Sequence, residues 1–140
     1  MRRLTVGCLV AVTLGLVSAG CDNVPSTPTA PDLTPDVVTE TFAGTIGPNG
    51  AQTFTFSTGS SGFLTANLRV FAPETDLTVG LAIGTFNGIT CQSIITNDTA
   101  VQGQSVAGNA SAAGTLCVRI SDTRTTLTQT NAFEIVVIHP

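Results

Sequence analysis

From Thr39 to the end of the chain, apolar side chains return at every second position in short runs broken by turn-forming residues. Phe54 and Phe56 share one face, as do Leu64, Ala66, Leu68 and Val70. Leu77, Val79, Leu81 and Ile83 repeat the pattern, and Leu116, Val118 and Ile120 oppose Cys117, Arg119 and Ser121. A period of two places one face in a core only if the chain is extended, and no stretch here carries the 3.6-residue period of a helix. The pattern predicts strands near 39–46, 52–57, 63–71, 77–85, 90–96, 104–107, 115–121 and 132–139. Between them fall Gly47-Pro48-Asn49-Gly50, Ser60-Ser61-Gly62, Pro73-Glu74-Thr75-Asp76 and Asn87-Gly88, the last a hairpin signal because both residues tolerate positive φ. The expected fold is all-β: an antiparallel sandwich or jelly roll of seven or eight strands over residues 37–140. Roughly 100 residues are enough for one core.

The first 36 residues have a different grammar. Arg2 and Arg3 precede an apolar run from Leu4 to Val17, and Val17-Ser18-Ala19-Gly20 then leads to Cys21. The run is shorter than the ~20 residues of a spanning helix and has the layout of a secretory signal. Residues 1–20 therefore read as a lipoprotein signal peptide, with Cys21 carrying lipid after the cut. The competing reading is an ordinary signal cut near Ala19, leaving Cys21 as a thiol. Ser18 stands where bacterial lipoproteins more often carry Leu. Two or three acyl chains, at ~0.8 kcal/mol per buried methylene, anchor a protein stably where one chain does not. Residues 21–36 then form the lipidated end and a linker in which Pro25, Pro28, Pro31 and Pro35 recur among Ser, Thr and Asp. Such a segment favours extended polyproline II, and at ~3.1 Å per residue it would hold a domain about 45 Å from the anchor.

Charge narrows the partners. The chain has five arginines, no lysine and nine carboxylates, and the first 20 residues take two of the arginines. A mature chain with three cations and a net charge of about −6 cannot neutralise a run of phosphates, so nucleic acid is excluded as a partner. It also has no polybasic patch, which leaves lipid on Cys21 as the expected membrane contact. Of the four cysteines, Cys8 leaves with the signal and Cys21 is acylated. Cys91 and Cys117 remain as a predicted disulfide in an oxidising compartment, closing a loop worth about 3–4 kcal/mol. A metal pair is the rival, although neither cysteine has a His or second Cys at ligand spacing.

Few residues suggest chemistry. The lone histidine, His139, sits beside Pro140 and reads as an exposed strand end rather than a catalytic base. No nucleophile elbow, HExxH or phosphate loop is present. Glu74, Asp76, Asp98 and Asp122 fall in or near turns, where a carboxylate ordinarily bonds nearby backbone. The sharper reading is calcium, with Glu74 and Asp76, or Asp98 and Asp122, as partial ligand sets. With neither Trp nor Tyr, a stacking carbohydrate site is not expected. Arg119 and Arg124 read as surface cations that pair with Asp122 or with a partner's acid group. No catalytic residue and no cofactor is expected.

Several motifs together resemble the bacterial pre-peptidase C-terminal domain, a β-sandwich module of secreted proteases and other exported proteins. Phe42-Ala43-Gly44-Thr45-Ile46 followed by Gln52-Thr53-Phe54-Thr55-Phe56 is similar to its F-x-G-x-L … F-x-F opening. Asp76-Leu77-Thr78-Val79-Gly80-Leu81 is similar to its D-L-x-L-x-L strand. Gly114-Thr115-Leu116-Cys117-Val118-Arg119-Ile120 resembles its G-x-Y-x-V-x-V strand, and Phe133-Glu134-Ile135-Val136-Val137 its closing strand. The family's Tyr is missing from the Gly114 strand, Thr78 stands where many members place a second Asp, and the cysteine pair is an addition. The resemblance covers nearly all of 39–139 and implies the sandwich fold. The expected function is a non-catalytic, lipid-anchored module of the bacterial cell envelope, at the outer membrane or cell surface in preference to the inner membrane. It would meet an envelope or extracellular protein. The alternatives are an accessory domain for a secreted protease and a calcium-dependent binding module.

Overall fold

A computed structural model describes residues 36–140. All eight expected strands form: β1 (Val38–Ile46), β2 (Ala51–Thr58), β3 (Gly62–Ala72), β4 (Val79–Phe86), β5 (Cys91–Ala100), β6 (Ser105–Ala110), β7 (Gly114–Ser121) and β8 (Asn131–His139). They make two four-stranded antiparallel sheets, with orders β1-β8-β3-β6 and β2-β7-β4-β5. The long-range pairings are nested, first strand with last, second with seventh, third with sixth and fourth with fifth. This is the winding of a jelly roll, and only β4 and β5 pair as sequence neighbours.

The inner faces pack Phe56, Leu64, Leu68, Phe71, Leu81, Val118, Ile120, Phe133 and Ile135 into one core. On the side where β1 and β2 are the edge strands, Phe42 stacks on Phe54 with ring centres 5.2 Å apart, and Phe54 meets Phe133 edge-on at 6.0 Å. On the opposite side β5 and β6 are the edges, and Ile95 lies so close to Gly108 that a Cβ there would collide with it.

Three local features depart from the expected alternation. In β3 the register to β8 shifts between Leu68 and Val70, so Arg69 and Val70 both face solvent and Phe71 takes the core position. Val70 therefore does not share the face of Leu64, Ala66 and Leu68; a β-bulge inserts one residue and turns the strand over. Leu77 precedes the strand and only packs against the core from the loop, because β4 begins at Val79. In the β4–β5 hairpin only Gly88 has positive φ (+94°). Asn87 acts through its side chain, whose Oδ1 accepts the backbone N–H groups of Ile89 (3.0 Å) and Thr90 (2.8 Å).

Candidate functional site

Cys91 and Cys117 form a disulfide. Its placement is informative, because β5 and β7 are not neighbours: β4 runs between them. Two strand spacings are about 9.6 Å, yet the two Cα atoms are 5.8 Å apart. The start of β5 must therefore fold across the outer face of β4. Gly84 lies beneath that crossing, in register with Cys117, and a Cβ on it would collide with the Gln92 carbonyl oxygen. The register of β4 to β5 shifts between Ile83 and Gly84, which leaves Ile94 without a partner and exposed.

His139 is not an exposed strand end. It is 2% exposed, its ring lies 5.0 Å from that of Phe56, and its Nε2 is 3.0 Å from Glu40 Oε1. Nδ1 faces the Pro140 carbonyl oxygen at 3.1 Å. The cause is topological. β8 is flanked by β1 and β3, and His139 follows Phe133, Ile135 and Val137 on the inward parity.

The turn carboxylates divide into two kinds. Glu74 is engaged by its neighbours: Asn131 Nδ2 donates to Oε2 at 2.7 Å and Thr128 Oγ1 donates to Oε1. The hydrogen bond from the Thr128 hydroxyl, then that from Asn131, holds the Glu74 carboxyl below its ordinary range. Asp122 is buried and ties two turns together, accepting Asn49 N–H at 3.0 Å and Thr126 N–H at 2.9 Å. Asp76 and Asp98 are exposed. Asp98 and Asp122 do border one depression, whereas among the described residues no group of three or more His, Cys, Asp or Glu side chains is placed to hold a metal ion. Arg69 is paired with Glu134, and Arg119 and Arg124 form no ion pair among the described residues. Cys21, with the signal and linker readings, lies outside the described residues.

Two concave regions stand out. A cavity of about 240 Å³ opens between the sheets at their β5–β6 side, lined by Leu64, Ile83, Ile94, Ile95 and the 110–114 turn. The other is a trough across the outer face of the β2-β7-β4-β5 sheet, composed of two depressions of about 340 and 550 Å³ that meet at Arg119. Strand register explains its floor. Thr53, Arg119, Ala82 and Thr96 are successive partners from β2 to β5 and form one transverse row. Gly80 and Ala82 face outward yet are buried, with the Thr123 methyl close over Gly80. Raised ends come from the 49–50 and 122–123 turns on one side and from the Phe86–Thr90 hairpin on the other.

Sequence reasoning missed this trough. Its signal was the pair of small residues Gly80 and Ala82 at outward positions of β4, where a solvent-facing strand ordinarily carries polar side chains. No family model matches the chain, and no curated protein matches it.

Proposed function

We propose that this chain is a non-catalytic, lipid-anchored binding module of the bacterial cell envelope, held through lipid on Cys21 and displaced from the membrane by the Pro-rich segment 22–36. The observation that carries the reading is the junction at Cys21, where an apolar run and small residues end at a single cysteine followed by a proline-punctuated linker. The Cys91–Cys117 disulfide supports it, since such bonds persist in exported proteins and are rare in the cytosol. The engagement of Glu74 and Asp122 in internal hydrogen bonds, and the burial of His139, favour binding over acid–base chemistry.

The test is fractionation of cells making the wild type or Cys21→Ala, followed by protease treatment of intact cells. Wild-type protein should pellet with membranes and the variant should not. Degradation by external protease would place the domain on the cell surface, and protection would place it facing an inner compartment. Equal membrane retention of both proteins would refute the anchor.

A further inference from the structure

We infer that the outer trough of the β2-β7-β4-β5 sheet binds a polyhydroxylated ligand bearing one carboxylate, a short run of an acidic polysaccharide, with the Arg119 guanidinium holding the carboxylate. The inference deepens the reading of a binding module and rests on it only in treating the saccharide as bound and released unchanged.

Arg119 sits where the two depressions meet and lines both. Among the described residues its one side-chain hydrogen bond is a long one, Nη1 to Thr53 Oγ1 at 3.4 Å, and no carboxylate lies within 4.0 Å of it. A guanidinium has five N–H donors in a planar fork that matches a carboxylate, so most of its donors remain for a ligand. Arg69, by contrast, is already paired with Glu134. The burial of Ala82 and Gly80 beside Arg119 makes the floor low, while the turns at both ends stand above it. From β2 to β5 the trough is three strand spacings wide, about 14 Å, enough for a chain of several linked rings.

The remaining lining selects the chemistry. Phe86 and Ile89 add apolar wall at the hairpin end, and the Asp122 carboxylate, which lines the other end, is engaged by the Asn49 and Thr126 N–H groups. Thr55, Thr96, Ser93 and Ser121 offer hydroxyls, and Asp98 at the β5 end offers acceptors. Such groups recognise ligand hydroxyls, and Asp98 would repel a second anion at that end. Neutral sugars are commonly held by stacking on Trp or Tyr, and the chain has neither, so charge must supply the orientation. An extended peptide fits this face poorly. The two strands beneath its centre, β7 and β4, are each paired on both sides, which leaves little main-chain hydrogen bonding for strand addition. The net negative charge of the protein also disfavours a densely charged polyanion, whereas a single carboxylate has a single cation to meet.

The experiment is calorimetric titration of the full chain, purified in a non-ionic detergent, with a trisaccharide carrying one glucuronate. The same trisaccharide with that carboxylate reduced to the alcohol serves as the matched probe. The acidic form should bind, and the reduced form should bind at least tenfold more weakly. Arg119→Ala should lose binding with an unchanged melting temperature. Ala82→Glu should block it as well, by placing a carboxylate next to Arg119 on the floor. Equal binding of both trisaccharides, no binding of either, or full binding by Arg119→Ala would overturn the inference. So would free glucuronate binding as tightly as the trisaccharide, which would mean a bare anion site. Chromatography of the recovered acidic trisaccharide separates the two readings. If it binds through Arg119 and is cleaved, the non-catalytic reading fails and the site stands; if it does not bind, the site fails and the anchor is untouched.

Discussion

Opening the Cys91–Cys117 bond should cost a large share of the stability of this domain. The two residues are 26 positions apart, and in the chain-entropy model a cross-link closing such a loop stabilises by about 3.5 kcal/mol. A domain of roughly 100 residues unfolds with about 0.2 kcal/mol/K of entropy, so the melting temperature should fall by roughly 15 °C. Cys117 is fully buried, so the comparison is best made between the wild type and Cys91→Ala/Cys117→Ala, with thermal unfolding followed by circular dichroism. Gly84→Ala supplies the check on geometry. Its methyl would push against the Gln92 carbonyl and lift the start of β5 from β4, carrying Cys91 away from Cys117. That variant should show titratable thiols after mild unfolding and a melt near that of the double alanine variant. The reasoning is refuted if the double variant melts within about 3 °C of the wild type. It is equally refuted if Gly84→Ala oxidises fully and keeps its stability, since the crossing would then not depend on a bare backbone at residue 84.

Two further outcomes are expected. Phe71→Ala should destabilise by about 3–5 kcal/mol and Val70→Ala by less than about 1 kcal/mol in urea titrations; the reverse order would mean that β3 continues past Leu68 without a bulge. The Glu74 carboxyl is held below its ordinary range when folded, so its contribution is complete above that range and disappears as pH falls through the folded value. Wild-type melting temperature should therefore drop more between pH 5 and about pH 3 than that of Glu74→Gln. Parallel declines in the two proteins would show that the Thr128 and Asn131 hydrogen bonds do not favour the ionised form.

The number of strands and their places along the chain were legible because each needs only its own alternation and a turn at either end. Leu64, Ala66 and Leu68, or Val118 and Ile120, announce a buried face without reference to any partner. What was illegible depends on partners. Whether His139 is covered is decided by β8 lying between β1 and β3, a relation that its own residues do not encode. The bulge at Arg69-Val70 keeps an apolar residue at the alternating position, so the pattern runs on smoothly while the strand turns over. The trough is harder still. Arg119 is unremarkable in β7 until register brings Ala82 to one side of it and Thr53 to the other. Gly84 gives no hint in sequence that the start of β5 passes over it. The turn roles of Glu74 and Asp122 were readable in kind, though their partners, as far as 57 and 73 residues away, were not.

The nested pairing has a consequence for how the chain comes into being. A ribosome releases β1 first and β8 last, yet these two strands are partners over their whole lengths, Val38 opposite His139 and Ile46 opposite Asn131. Only β4 and β5 can pair from neighbouring sequence; every other pair waits for a distant strand, and the wait grows from the middle of the chain outward. With the sheet β1-β8-β3-β6 lacking its second strand until the final residues appear, an incomplete chain has no stable jelly roll to form. Such a chain stays open until β8 has been made and can slot between β1 and β3.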